Sequence, residues 1–64
     1  MEKGMRVKFT KESSNPDVNF CVEQEKRKDY KVVKVDDRKQ EFYIEGCPFP
    51  ISYDDECYII TYFN

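Results

Sequence analysis

The chain has 64 residues, of which 39% are apolar and 38% charged, and its formal net charge is −2 with a pI near 5.0. A chain of this length makes one domain, residues 1–64, and buries only about 60% of the surface that its unfolded form exposes. No apolar stretch approaches the ~20 residues of a transmembrane helix, and the first residues do not resemble a signal peptide. We therefore expect a cytoplasmic protein that makes no use of a membrane.

The composition also argues against an enzyme. The chain has no histidine and only two glycines. The commonest general base is therefore missing, the Ser–His and Cys–His pairs cannot form, and a glycine-rich phosphate loop cannot be built. We expect a non-enzymatic protein without a cofactor.

Three cysteines, Cys21, Cys47 and Cys57, are odd in number and irregularly spaced. This usage is typical of a reducing compartment and not of a disulfide framework. Structural zinc normally needs paired ligands at close spacing, which this chain lacks, so we expect no metal. Buried thiols are the favoured interpretation, with Cys57 the best core candidate.

The first predicted strand begins after Gly4. Met5, Val7 and Phe9 alternate with polar residues, which is the period of a half-buried strand. The polar residues 11–17 that follow are typical of a loop.

Residues 16–29 fit two structures. From Val18 on, Phe20 and Val22 continue a strand-like alternation, whereas Asn15 followed by proline resembles a helix N-cap and first helical residue. We favour an irregular β excursion, because the phenylalanine falls off the helical stripe and β-branched valines disfavour helix. A short helix is the alternative.

A β-hairpin is the firmest structural prediction. Residues 30–35 are rich in valine, residues 41–45 alternate apolar and charged positions, and five polar residues join the two runs. After Gly46, two prolines make a stiff corner, residues 51–53 form a short strand, and residues 54–56 form a polar turn.

The last predicted strand, residues 57–63, is apolar or aromatic at almost every position. Such a strand is either central in the sheet or part of an interface, because both of its faces need cover. Alternation places Tyr58, Ile60 and Tyr62 on one face and Cys57, Ile59 and Thr61 on the other.

The layout of five short strands resembles an SH3-like small barrel, with a long excursion after the first strand, a central hairpin, a tight corner and an acidic turn before the last strand. In that family the excursion and the last turn flank the ligand groove, which implies a site near residues 11–29 and 54–56. The chain has no tryptophan and no Ala-Leu-Tyr-Asp-Tyr motif. The resemblance therefore covers the fold and not recognition of proline-rich peptides. Small SH3-like proteins of this kind are common in bacteria and phages.

Charge and aromatic residues point to a candidate protein-binding site. Residues 1–40 contain 11 basic and 8 acidic residues, whereas residues 41–64 contain 5 acidic residues, no basic residue and seven of the ten aromatics. Tyrosines beside carboxylates suit a basic protein partner. We expect Tyr58 and Tyr62 to point outward; the alternative is that these rings complete a small core. The candidate site residues are Tyr53, Asp54, Asp55, Glu56, Tyr58 and Tyr62.

The function that we predict is a protein-binding module, an adaptor or inhibitor among the accessory proteins of bacteria or phages. Two alternatives stay open. A nucleic-acid-binding barrel would use basic residues of the N-terminal part, although the net charge is negative. A self-associating structural domain would pair its last strand with that of a second copy in a homodimer. The basic residues of the nucleic-acid alternative are Arg6, Lys8, Lys26, Arg27 and Lys28.

Overall fold

The computed structural model describes residues 1–63, which fold into five antiparallel strands in a curled half-barrel with one short helix. The mainly β fold class is therefore confirmed. The strand order is β4-β3-β2-β1-β5, which is compatible with an SH3-like fold. The elements are β1 (Arg6–Phe9), α1 (Pro16–Glu25), β2 (Tyr30–Asp36), β3 (Glu41–Ile44), β4 (Ile51–Ser52) and β5 (Tyr58–Tyr62).

The predicted hairpin is β2 and β3, and β2 is also the strand that bends the sheet. It pairs with β1 through its first residues and with β3 through its later ones. The register against β3 shifts between Val32 and Lys34, so one extra residue is inserted there. Such a bulge increases local twist and bending. It allows the five strands to curl around a common core.

Residues 16–25 form a helix, so the favoured interpretation of an irregular β excursion is wrong. Asn15 is the N-cap, and its side chain accepts a hydrogen bond of 3.0 Å from the amide of Asp17, while Pro16 occupies the first helical position. The side chain of Phe20 does fall off the buried stripe, but it is 63% exposed on the solvent side of the helix. The apolar residues at 18, 20 and 22 therefore resembled a strand pattern only because an exposed helical position carries phenylalanine.

The C-terminal end of α1 is tied to the sheet. Lys26 adopts the left-handed conformation (φ 53°), and its amide donates to the carbonyl of Val22 at 3.0 Å. The hydroxyl of the buried Tyr30 donates to that same carbonyl at 3.1 Å. This pairing satisfies a carbonyl that a helix end otherwise leaves open and a hydroxyl that is otherwise buried without a partner.

The core lies between the concave face of the sheet and α1. The helix contributes Val18, which is fully buried, and the side chains of Cys21 and Val22 pack at the margin. Cys57 is fully buried, which confirms it as a core residue. The buried apolar residues are Met5, Val7, Val18, Tyr30, Val32, Phe42, Ile44, Cys47, Ile51 and Cys57.

β5 is an edge strand, so the interpretation of residues 57–63 as a central strand is wrong. It pairs with β1 on one side, and within the described chain no strand lies on its other side. Ile59 is 51% exposed. The interface interpretation and self-association through this edge stay predictions, which sedimentation over a range of protein concentrations would check.

A bulge in β5 changes which tyrosines share a face. The pairing moves from Val7 opposite Ile60 to Arg6 opposite Tyr62, so one residue of β5 is inserted between them. Tyr58 and Ile60 pack towards the core, whereas Tyr62 lies opposite Arg6 and is 56% exposed. The predicted alternation of Tyr58, Ile60 and Tyr62 on one outward face is therefore wrong.

Within residues 1–63, no helix is both long enough and apolar enough to cross a bilayer.

Candidate functional site

The turn between β4 and β5 is held in place by the carboxylate of Asp55. One of its oxygens accepts hydrogen bonds from the hydroxyl of Ser13 at 2.7 Å and from the amide and hydroxyl of Ser14 at 3.3 Å each. The other accepts from the amide of Cys57 at 3.1 Å. This carboxylate therefore joins the loop after β1 to the turn before β5.

The environment of Asp55 favours its ionised form. Partial burial on its own would raise the pKa of this carboxyl, but the hydrogen bonds from Ser13, Cys57 and Ser14 more than offset it, and the pKa lies below its ordinary value of 3.8. Ser13 is itself buried, with 7% of its surface exposed. The two residues form a structural contact and leave little of Asp55 for a partner.

Tyr53 connects the same turn to the turn between β2 and β3. Its hydroxyl donates to the carboxylate of Asp37 at 2.7 Å. Partial burial and this acceptor raise the pKa of Tyr53 to about 12, so the phenol stays protonated and remains a donor. Its ring lies 6.2 Å from that of Phe42, at a tilt of 31°.

Tyr58 is half-buried, so the expectation that it points outward is wrong and the core alternative describes it. Its ring meets Phe42 edge to face at a centroid distance of 4.9 Å. Its hydroxyl donates to the carbonyl of Tyr53 at 2.9 Å, and burial raises its pKa. Tyr58 therefore holds the backbone of Tyr53 in place and exposes only part of its own ring to solvent.

Exposed carboxylates lie in the turns next to these two rings. Asp54 and Glu56 lie on either side of the anchored Asp55, and Asp37 faces them through its bond to Tyr53. Three loops thus meet at one end of the half-barrel, and hydrogen bonds between side chains hold them together. We call Asp37, Tyr53, Asp54, Glu56 and Tyr58 the acidic end.

Tyr62, the remaining residue of the predicted site, lies apart from the acidic end. Tyr58 pairs with Phe9 and Tyr62 with Arg6, which are the two ends of β1. Four residues of extended strand span about 13 Å. A single small partner surface centred on Asp54 and Glu56 would not reach Tyr62.

The basic residues of the nucleic-acid alternative fall into two groups. Arg6 is paired with Asp29 at 2.6 Å, and this hydrogen-bonded guanidinium lowers the pKa of the carboxyl. Arg27 is paired with Glu45 at 2.9 Å and approaches Glu25 at 3.9 Å. The three lysines of the set are exposed: Lys8, Lys26 and Lys28.

Sequence reasoning missed two lysines on the outer face of the sheet. Lys31 lies directly opposite Arg6 on β1, and Lys34 lies opposite Tyr43 on β3, with its ammonium 5.0 Å from the centre of that ring. The available signal was the alternation of Lys31 with Tyr30 and Val32, which face the core. The face to which Lys34 points was harder to predict, because the residue inserted at Val33 reverses the inward and outward alternation for the rest of β2.

The thiols sit in the core and at its margin. Burial raises the pKa of Cys47 to about 11 and that of Cys57 to about 12, so both stay protonated at neutral pH. Across the described part of the chain, no three Cys, Asp or Glu side chains are grouped so that they could hold a metal ion.

Comparison of the chain with protein-family models, curated proteins and solved structures finds no match.

Proposed function

We propose that this protein is a non-enzymatic protein-binding module of SH3-like architecture, whose acidic end binds a basic surface of its partner. The resemblance to small SH3-like proteins of bacteria and phages extends the proposal to an accessory role as adaptor or inhibitor. The observation that carries the proposal is the convergence of three loops on exposed carboxylates around half-buried tyrosine rings.

Rigidity supports this choice of surface. The bonds from Ser13 to Asp55 and from Tyr53 to Asp37 hold the loops in the absence of a partner. A surface that is already ordered loses less conformational entropy on binding. The side chains of Asp54 and Glu56 belong to this ordered turn but make none of the hydrogen bonds that hold it. Their charge is therefore available to a partner.

The chemistry of the acidic end indicates the kind of partner. Carboxylates at the rim attract and orient lysine or arginine side chains, and the tyrosine rings offer contact area at low entropic cost. Negative charge at this end repels nucleic acid. The partner of this surface is therefore a protein with a basic patch.

Affinity capture from a bacterial lysate, with bound proteins quantified by mass spectrometry, tests the proposal. The test variant is Asp54→Asn with Glu56→Gln, and the control is Glu2→Gln with Glu23→Gln, which removes the same charge from exposed positions elsewhere. We expect a defined protein to bind the native chain and the control and to be lost from the test variant. Equal retention by both double variants would contradict the proposal. Asp55 is left unchanged because its replacement would disturb the turn.

A further inference from the structure

The outer face of β1, β2, β3 and β5 carries a second charged surface, which is independent of the acidic end. Arg6 and Lys31 are directly opposite each other, Lys8 is opposite Ile59, and Lys34 is opposite Tyr43. Cross-strand partners share a face of the sheet. Tyr62 reaches this same face through the bulge in β5. We call Lys8, Lys31, Lys34, Tyr43 and Tyr62 the basic face.

The lysines of the basic face are free of acidic partners. No salt bridge among residues 1–63 involves Lys8, Lys31 or Lys34. The carboxylates that border the face, Asp29 and Glu45, are already paired with Arg6 and Arg27. Two further carboxylates, Asp36 and Glu41, lie opposite each other on this face at the other end of β2 and β3 and make no salt bridge within residues 1–63. The positive potential is therefore confined to the part of the face around Arg6, Lys8 and Lys31, even though the whole chain is net negative.

We expect the position of Lys31 to oppose folding slightly. Like charges that face each other across two strands repel, and of this pair only Arg6 makes a salt bridge. The carboxylate beside Lys31, that of Glu45, accepts from the Lys31 backbone amide and is paired with Arg27. Residues whose local interactions oppose stability are expected mainly at functional positions. A polyanion on the outer face would relieve this repulsion.

Aromatic side chains beside the lysines favour a nucleic acid over other polyanions. The ring of Tyr62 is 56% exposed, and the part of the chain that the structure describes gives its hydroxyl no partner. Tyr43 lies under the ammonium of Lys34. Cations that contact phosphates, with rings on which unpaired bases stack, are the combination used by single-strand-binding surfaces on β-sheets.

We propose that the basic face binds single-stranded nucleic acid, with Lys8, Lys31 and Lys34 on the phosphates and Tyr62 stacked on a base. Together with the acidic end, this surface would let the module contact a protein and a nucleic acid at once. The two surfaces share no residue, so either proposal can fail alone.

Fluorescence anisotropy with a labelled oligothymidylate of ~15 nucleotides tests the proposal at low salt. We expect the single strand to bind more tightly than a duplex of the same length, because stacking needs unpaired bases. Three phosphate contacts predict a slope of about −2 for log K against log salt, which is a fall of about twentyfold for a fourfold rise in salt. Failure to bind at ~50 mM salt would overturn the proposal.

Two competitors identify the class of ligand. Heparin supplies negative charge without bases, and poly-glutamate imitates an acidic protein. We expect each to displace the oligothymidylate only weakly when matched for charge. Equal displacement by heparin would mean a general polyanion surface, and stronger displacement by poly-glutamate would mean an acidic protein partner; either result overturns the proposal.

Matched variants locate the site. Lys31→Gln with Lys34→Gln should lower the salt slope to about −0.7, whereas Arg38→Gln with Lys39→Gln removes the same charge from the β2–β3 turn and should leave the slope unchanged. Tyr62→Leu should weaken binding at least about fivefold, and Tyr62→Phe should retain it. Equal effects of the two double variants, or no effect of Tyr62→Leu, would contradict the site.

Discussion

At the acidic end, phenolic and carboxylate groups are hydrogen-bonded to neighbouring loops. On the basic face, the side chains of three lysines extend from paired strands and make no salt bridge within residues 1–63. Asp55 and Tyr53 hold three loops together. On the basic face, the strand ladder holds the backbone, and the charged groups add repulsion. The two regions differ in the use of charge: the Asp55 carboxylate stabilises the fold through hydrogen bonds, whereas the three lysines make no salt bridge and are available to a ligand. Changes at the acidic end should therefore separate into stabilising and exposed residues, and changes at the basic face should scarcely affect stability.

The largest effect is expected from replacing the half-buried Tyr58 of β5, compared with the same replacement at the exposed Tyr62. Tyr58→Ser removes a ring packed on Phe42 and a hydrogen bond, so the free energy of unfolding should fall by about 3 kcal/mol. Tyr62→Ser removes an exposed ring and should change it by less than about 0.5 kcal/mol. Urea unfolding followed by circular dichroism measures both. Equal losses would show that the bulge in β5 does not separate the two rings.

A smaller loss is expected from the carboxylate that anchors the acidic end. Asp55→Ala leaves the buried hydroxyl of Ser13 without its acceptor and should cost about 1–3 kcal/mol of stability. The neighbouring Asp54→Ala serves as the control and should be nearly neutral, because Asp54 is exposed. The same urea titration compares them. A larger loss for Asp54→Ala would reverse the assignment of roles.

The contribution of Asp55 should also depend on pH. Its pKa in the folded state is lowered from 3.8, so its stabilising effect is present above that value and disappears as the pH falls through the folded pKa. The difference in unfolding free energy between the native chain and Asp55→Asn should thus be constant near neutral pH and shrink below pH ~4. A difference that grows in acid would contradict the hydrogen-bonding pattern.

Loss of the helix N-cap should destabilise the loop that approaches the acidic end. Asn15→Ala removes the acceptor for the amide of Asp17 and should cost about 1 kcal/mol, whereas Asn15→Asp retains an acceptor and should cost less. Thermal unfolding of the two variants tests this order. Equal melting temperatures for the native chain and Asn15→Ala would contradict the capping role.

The smallest effect, and the one of opposite sign, is expected on the basic face. Lys31→Gln removes a repulsion with Arg6, so the urea midpoint should rise slightly at low salt, and the gain should vanish at high salt because salt screens exposed charges. The same change should weaken binding of single-stranded nucleic acid. A fall in the midpoint would mean that Lys31 supports the fold.

Much of the fold could be predicted from apolar alternation, and the rest could not for specific reasons. The β2–β3 hairpin and the burial of Val7 and Val32 follow from period-two patterns. The helix was only the alternative interpretation, because Phe20, which is exposed on α1, resembled an inward strand residue. Tyr62 is exposed, as expected, but the inserted residue in β5 has no local signature, so the sequence could not show that Tyr58 lies on the opposite face and packs towards the core.

The candidate site was predictable in composition and not in roles. The acidic, tyrosine-rich character of residues 53–58 is evident in the sequence. That Asp55 is bonded to Ser13, 42 positions earlier, is a tertiary contact that the sequence pattern does not contain. Lys31 and Lys34 joined Lys8 on one face only through the strand register.

An amide NMR titration of the labelled protein with the captured partner tests the central claim, that the acidic end is the protein-binding surface, most directly. The account predicts shift changes concentrated in residues 12–15, 36–37 and 53–57, with the amides of Lys8, Lys31, Lys34 and Tyr62 unaffected. Changes confined to β1, β2 and the end of β5, with residues 53–57 undisturbed, would contradict it.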